Sequence, residues 1–365
     1  MKAPKVLSRL SLGAQMLASR LPGHRPELYY VVPKVNWSTD WDGRYITQGV
    51  QRQFGLRARL TDRPRWLAGQ IIHYGSLWEA VAGLGAEQTP RNAIVATIFH
   101  GDRSGASPAL AQALERILAH QAQFDKILVS NSIMEGRFRT WGLDPQRLVS
   151  IPLGVDTALF RPHESQARMA LRQRLGIAED AFCIGSFQKD GVGWEDGLEP
   201  KLIKGPDVFL NVITRLASRH KLHVLLTAPA RGYVKQGLAR AGIPYTHEIF
   251  DHYPDLAPLY AALDAYLVTS REEGGPKGVL ESMASGVPIV STRVGLAPDV
   301  VRNGVDGLLA DSEDVDTLLG HLSRLAEDHA FAARLAEAAL AKIPDYDWSR
   351  IAALYYAQVY QPLLP

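Results

Sequence analysis

The chain has 365 residues, 46% of them hydrophobic and 21% charged, the balance of an ordinary globular protein and not of a disordered one. Forty basic against 38 acidic residues leave a net charge of +2, without the basic excess of a dedicated nucleic-acid binder. At this length one compact core is normally outgrown, so two domains are expected. A lone cysteine, Cys183, rules out an internal disulfide. Flanked by Phe182 and Ile184, it reads as a small buried hydrophobe in a strand, a usage that fits a reducing cytoplasm.

The first 26 residues carry Lys2, Lys5, Arg9, Arg20 and Arg25, with no acid before Glu27. Within them Leu7, Leu10, Leu17 and Leu21 fall on one helical face. The apolar stretch is too weak for a signal peptide, and no run in the chain approaches the ~18–20 residues that cross a bilayer. An amphipathic helix packed on its own domain is the simpler reading. A peripheral contact with anionic lipid at the inner face of the membrane is the alternative.

Beyond this segment, apolar runs of strand length alternate with longer helical patterns, the signature of βαβ units and parallel sheets. The predicted strands of the first half are Leu28 to Val32, Gln70 to His73, Ala93 to Phe99, Lys126 to Val129 and Leu148 to Ile151, with a helix over Pro108 to Gln121. The pattern restarts with Phe182 to Phe187, Leu222 to Leu226, Ala265 to Val268 and Pro288 to Ser291. Two doubly wound α/β domains are therefore expected, joined near Pro152 to Pro162. In such sheets ligands bind beyond the carboxyl ends of the strands, so a shared site would lie in a cleft.

The most informative passage is Ser270-Arg-Glu-Glu-Gly-Gly-Pro-Lys-Gly-Val-Leu-Glu281, continuing Ser-Met-Ala-Ser-Gly-Val-Pro-Ile-Val-Ser-Thr. It reads as a strand, a glycine loop, a short helix ending at Gly286 and a second buried strand. Gly274 and Gly275 let backbone amides approach a ligand with no Cβ in the way. Pro276 suits the first helical position, and the helix N-terminus, over Lys277, Gly278, Val279 and Leu280, suits a diphosphate. Glu273 and Glu281 flank the loop. Acids there would repel a diphosphate unless they face hydroxyls, for which an ionised carboxylate is a strong acceptor.

This passage, with Val294-Gly295, resembles the Glu-x7-Glu signature of the family 4 (group 1) retaining glycosyltransferases. A second likeness runs from Phe124-Asp-Lys-Ile-Leu-Val-Ser-Asn through Trp141-Gly to Ile151-Pro-Leu-Gly-Val-Asp-Thr157 and Phe160. Together the two cover roughly Ala93 to Asp311. The resemblance implies a GT-B fold: two Rossmann-like domains facing across a cleft, an acceptor-side domain over 1–157 and a nucleotide-sugar-binding domain over 158–345. The segment from Tyr346 to Tyr360 resembles the helix that returns to the first domain, giving 346–365 to it.

By position, the resemblance gives Glu273 the contact with the transferred sugar and Glu281 the nucleotide ribose. His100, at the end of a buried strand, takes the place of a histidine over the donor sugar. Phosphate charge in the family is met by an Arg and a Lys after the first strand of the second domain. Here Gly185-Ser-Phe-Gln-Lys189 puts Ser186 where the Arg is common. Lys204-Gly205 matches the Lys-Gly after a longer insertion, Asp190 to Ile203, and Lys189 is the candidate substitute for the Arg. Lys277 also departs from the apolar residue common at its place.

Asn36-Trp-Ser-Thr-Asp-Trp-Asp-Gly43 occupies the place of the family's acceptor-side glycine loop. Trp37 and Trp41 offer flat faces, and Asp40 and Asp42, next to Gly43, offer acceptors, a combination suited to carbohydrate. Asp40 and Asp42 also spell the Asp-x-Asp of the other large glycosyltransferase fold, a short motif frequent by chance, so no metal site is assigned. The expected activity is retaining transfer of a sugar from a nucleotide-diphosphate sugar to a hydroxyl of a glycan or glycolipid precursor, with no cofactor and no nucleic-acid partner. A sugar-nucleotide epimerase and a catalytically silent carbohydrate-binding protein are the alternatives on the same fold.

Overall fold

The computed structural model describes residues 24–33, 38–62, 67–84, 92–105 and 107–365, with 14, 17, 18, 21 and 64 besides. The chain divides into two compact units, Met1–Leu153 with Trp348–Pro365, and Gly154–Asp347. The first contains β1 (Leu28–Val31), α1 (Ser38–Phe54), β2 (Ala58–Thr61), β3 (Ile71–Tyr74), α2 (Leu77–Gly83), β4 (Ala93–Thr97), α3 (Pro108–Ala119), β5 (Lys126–Val129), α4 (Ser132–Thr140) and β6 (Leu148–Ser150). Its strands pair in parallel in the order β2-β1-β3-β4-β5-β6. Helix starts are written locally: Ser107 caps α3 with Pro108 behind it, and Asn131 caps α4 by accepting from Met134 N at 2.8 Å.

The second unit contains α5 (Ser165–Arg174), β7 (Phe182–Ser186), α6 (Pro206–Ala217), β8 (Leu222–Thr227), α7 (Gly232–Arg240), β9 (Tyr245–Glu248), β10 (Ala265–Val268), α8 (Lys277–Ala284), β11 (Ile289–Thr292), α9 (Ala297–Val300), β12 (Leu308–Ala310), α10 (Val315–Glu327) and α11 (His329–Lys342). Its sheet runs β12-β11-β10-β7-β8-β9, again parallel. Every residue of β8, Leu-His-Val-Leu-Leu-Thr, is buried, as a strand covered on both faces requires. Cys183 lies fully buried in β7, where desolvation pushes its thiol up to about 12.

The central strands fall where their apolar runs predict. The edge strands β2, β9 and β12 do not show in the sequence, because Ala-Arg-Leu-Thr and Tyr-Thr-His-Glu are mixed in polarity and β12 has three residues. The predicted loop Asn36–Gly43 is corrected: from Ser38 onward it is the first turns of α1, and Asn36 and Trp37 lie outside the described residues. Most of the basic segment 1–26 also lies outside them. No described helix is long and apolar enough to cross a membrane.

In the first unit, α12 (Trp348–Tyr355) and the turns after it pack along α1. A Cβ on Gly49 would lie 2.4 Å from that of Ala352, so glycine permits the approach. Tyr45 stacks on Trp348 and Phe54 on Tyr356, with centroids 5.2 and 4.0 Å apart. At the end of this segment the Tyr360 hydroxyl meets His73 Nδ1 at 2.7 Å, while Nε2 meets Thr97 Oγ1 at 2.7 Å. Burial holds the pKa of His73 down to about 3, so the ring is neutral in the fold. Below about pH 6.5 the unfolded chain binds a proton that the fold refuses, and stability falls by up to about 1.4 kcal/mol per pH unit toward about pH 3 from this group alone. His73→Gln is therefore expected to be less stable than the wild type near neutrality but to lose less on acidification to about pH 5, read from urea midpoints. Parallel pH profiles for the two proteins would refute this.

Candidate functional site

The chain enters the second sheet at β7, winds outward through β8 and β9, and returns to the other side of β7 as β10. The loops leaving the carboxyl ends of β7 and β10 therefore part in opposite directions, the arrangement that opens a ligand crevice in α/β sheets. Those two loops, 187–205 and 269–276, carry most of the residues singled out in the sequence.

Backbone contacts join the loops closely. The amides of Arg271 and Glu272 both donate to Ile203 O, at 2.8 and 3.2 Å, and Thr269 Oγ1 donates to Gly205 O at 2.8 Å. Gly205 has φ +63°, and a Cβ there would fall 1.9 Å from Thr269 O, so no other residue fits. On the far side of the β10 loop, a Cβ on Gly295 would lie 2.6 Å from Gly274 O, which gives the Val294-Gly295 pair a steric reason. A Cβ on Gly278 would meet the Tyr266 ring at 2.4 Å.

Charge collects on this frame. Lys204 Nζ lies 2.6 Å from Glu273 Oε1, and Ser270 Oγ donates to the same oxygen at 2.9 Å. Lys201, which the sequence reading missed, stands beside them. Its proton affinity is lowered by desolvation first, then by Lys204 and Lys189, with Glu273 opposing. Lys189 is lowered by desolvation, and its Nζ sits 4.5 Å from the centroid of the exposed Trp194. The signal for Lys201 was its three-residue spacing from Lys204, obscured by the acids before it.

Glu281 is 3% exposed. Its Oε1 accepts from Tyr253 and its Oε2 from Tyr260 at 2.7 Å. Burial, followed by the Glu281 charge, raises the Tyr260 hydroxyl well above its usual range. These tyrosines lie 28 and 21 residues away in sequence, and nothing local announces them.

The remaining assigned residues of this unit lie in and around the same two loops. Ser186 is buried, its Oγ accepting from Arg231 at 3.2 Å and its carbonyl from the same guanidinium at 2.6 Å; its hydroxyl is turned into the core. Pro276 caps α8 from outside and is not its first residue. Val279 and Leu280 bury their side chains, and the Val279 amide is taken by Pro276 O at 2.9 Å. Lys277 places Nζ 5.2 Å from the Tyr253 ring. Gly274 is buried and Gly275 half-buried.

In the first unit, His100 lies just beyond β4 and is half-buried. Trp41, Asp42 and Gly43 lie in the first turns of α1, with Asp42 buried and Arg44 5.4 Å from the Trp41 ring. A Cβ on Gly43 would meet Tyr30 Cδ1 at 2.7 Å, so this glycine admits the Tyr30 ring. Among the described residues no group of three or more His, Cys, Asp or Glu side chains is placed to hold a metal ion.

Residues 197–328 match the family described as Glycosyl transferases group 1. Over 320 residues the chain is 28% identical to a D-inositol 3-phosphate glycosyltransferase of Thermobispora bispora, covering 82% of this chain and 69% of the relative. A protein of the same name from Xylanimonas cellulosilytica is 31% identical over 60% of this chain and 52% of its own. Among solved structures, Anabaena HepE in complex with UDP and glucose superposes with a TM-score of 0.75 at 18% identity, over 93% of this chain and 100% of that one. Sucrose-phosphate synthase from Thermosynechococcus elongatus gives 0.66 at 19% identity, over 91% and 80%. At these identities the structures show a shared fold.

Gly205 and Gly304 provide a matched test of the loop frame. Both have positive φ, but a Cβ on Gly304 meets nothing within 4 Å. Gly304→Ala is expected to cost about 1 kcal/mol from backbone strain alone, and Gly205→Ala roughly 2–4 kcal/mol because overpacking adds to it. Urea unfolding measures both, and equal losses would show that the close approach at Thr269 carries no energy.

Proposed function

We propose, for a chain of GT-B fold whose residues 197–328 belong to the Glycosyl transferases group 1 family, that it moves a sugar from a nucleotide-diphosphate donor to a hydroxyl acceptor with retained anomeric configuration. The observation that carries this reading is the Lys204–Glu273 pair at the β7/β10 switch point, with Lys201 and Lys189 in the same field. A diphosphate needs the cations, and a sugar ring needs the acceptor oxygens.

In this reading the bond between the anomeric carbon and the diphosphate oxygen breaks with its electron pair left on that oxygen. The acceptor oxygen bonds to the anomeric carbon on the same face, and its proton passes to the departing phosphate. The lysines and the start of α8 stabilise the charge that develops on the leaving group. Glu273 orients sugar hydroxyls, and Glu281, held by Tyr260, takes the ribose after Tyr253 gives way. His100, with Trp41, Asp42 and Gly43, is assigned to the sugar and acceptor side. The ammonium groups supply the positive charge, so turnover is expected to persist in EDTA.

The complexes of HepE with UDP and UDP-glucose put UDP-sugars first among donors. The name of the curated relatives, D-inositol 3-phosphate glycosyltransferase, favours a polyhydroxylated acceptor, and a glycan or glycolipid precursor is the proposed class. The chain spans about half the length of several of those relatives, so the acceptor is assigned by class alone.

Thermal shifts against UDP-, GDP- and ADP-sugars test the donor site. A ligand at about 100 times its Kd stabilises the fold by about 2.7 kcal/mol, and Glu281→Ala should abolish the shift. Lys204→Ala should lower turnover by about 10²–10³-fold, the usual effect of removing one group that stabilises developing charge. Near-normal turnover in that variant would overturn the mechanism.

A further inference from the structure

We propose that Lys201 is a third cation of the donor-diphosphate pocket, delivered there by the 190–203 segment. The proposal rests on the donor-site reading above and assigns it a residue outside the positions that the family resemblance supplies.

Backbone geometry places Lys201. The segment closes on itself like a hairpin: Gly191 bridges to Pro200, Val192 N donates to Glu199 O at 3.0 Å, and Lys201 N donates to Asp190 O at 2.7 Å. Lys204 N then donates to Lys201 O at 2.8 Å and Gly205 N to Leu202 O at 2.9 Å. Lys201 thus stands at the neck of the hairpin, one tight turn from Lys204. The neck is anchored from below by Asp190, which pairs with the buried Arg231 at 3.0 Å.

The three lysines are not equivalently placed. Lys204 is paired with Glu273, and the Lys189 ammonium lies against the Trp194 ring. Lys201 is half-buried, and among the described residues no carboxylate lies within ion-pairing distance of it. A partly desolvated ammonium beside two like charges is an unfavourable arrangement unless an anion joins it. Three ammonium groups against the Glu273 carboxylate leave a net of about two positive charges, opposite and equal to those of a sugar-diphosphate diester. A further charge appears on the leaving diphosphate as the glycosyl bond breaks. Lys201 meets it without first giving up a carboxylate.

Titration calorimetry with UDP, GDP and ADP and with the matching monophosphates, on the full chain, tests this directly. For the diphosphate that binds, Lys201→Ala should weaken affinity by about tenfold or more, as loss of a charge-assisted contact implies. The monophosphate should lose much less, and Lys201→Arg should recover most of the affinity. Unchanged diphosphate affinity in Lys201→Ala overturns the assignment. Equal losses for diphosphate and monophosphate also overturn it, because they mark an effect through the fold. If the wild-type chain binds none of the three diphosphates, the donor-site reading fails and this inference fails with it.

Discussion

A guanidinium with no exposed surface needs partners for its charge, and in the second unit Arg231 imposes that requirement on its surroundings through both terminal nitrogens. Among the described residues its Nε has no hydrogen-bond partner. Its Nη1 donates to the carbonyls of Ser186 and Gln188, both at 2.6 Å, and of Thr227 at 3.2 Å, while Nη2 pairs with Asp190. Desolvation lowers its proton affinity, yet an arginine stays charged in a protein, and stripping the partner from such a buried pair typically costs about 3–5 kcal/mol. The carboxyl ends of β7 and β8 are therefore clasped together, and Asp190 is fixed at the root of the following segment. Asp196 is tied to the same helix start, accepting from Arg231 N at 3.0 Å and from Lys235. A segment whose residues 192–199 are all exposed is thus held at its neck and along its length, and the lysines at its base inherit that order.

The same logic recurs at the switch points of both sheets. Where two loops diverge, the backbone has to come close to its neighbour, and glycine marks each approach: Gly191 against Ala230 O, Gly205 against Thr269 O, and Gly43 and Gly75 against the Tyr30 ring. These positions do not need glycine for flexibility. They need the volume of a missing Cβ, and Gly205 its positive φ as well, and the resulting rigidity is what a site built on loops requires. In the first unit the polar chain Tyr360–His73–Thr97 adds a second constraint, binding the last residues of the chain to the middle of the sheet.

What the sequence makes legible follows from how local each constraint is. The β10–α8 passage can be read because its glycines, proline and two glutamates lie within twelve residues, so loop, helix start and acid spacing all appear in one window. Central strands are legible as apolar runs, whereas the edge strands β2 and β9, mixed in polarity, and the three-residue β12 are not. Ser186 stands where the family resemblance puts an arginine. The structure instead brings an arginine to Ser186 from 45 residues further on, a pairing that no window of sequence contains. Tyr253 and Tyr260 are invisible for the same reason, since each acquires its meaning from a carboxylate that only the fold places beside it.

An apparent conflict in the proposed donor site is that a glutamate lies among groups meant to hold a diphosphate. The hydrogen bonds resolve it. Glu273 commits Oε1 to Lys204 and Ser270, and among the described residues Oε2 has no protein partner. With Lys204 and Glu273 only 21% and 10% exposed, their interaction is screened far less than a surface pair would be. The lysine therefore masks the carboxylate on the side where the phosphates are proposed to lie and leaves its other oxygen for the hydroxyls of the sugar. An ammonium can accept a second anion on its remaining N–H donors, so the diphosphate need not expel the glutamate in order to bind. In the proposed reaction the pair bridges the group that leaves and the sugar that is transferred, and the Lys204 contact orients the carboxylate before any substrate arrives.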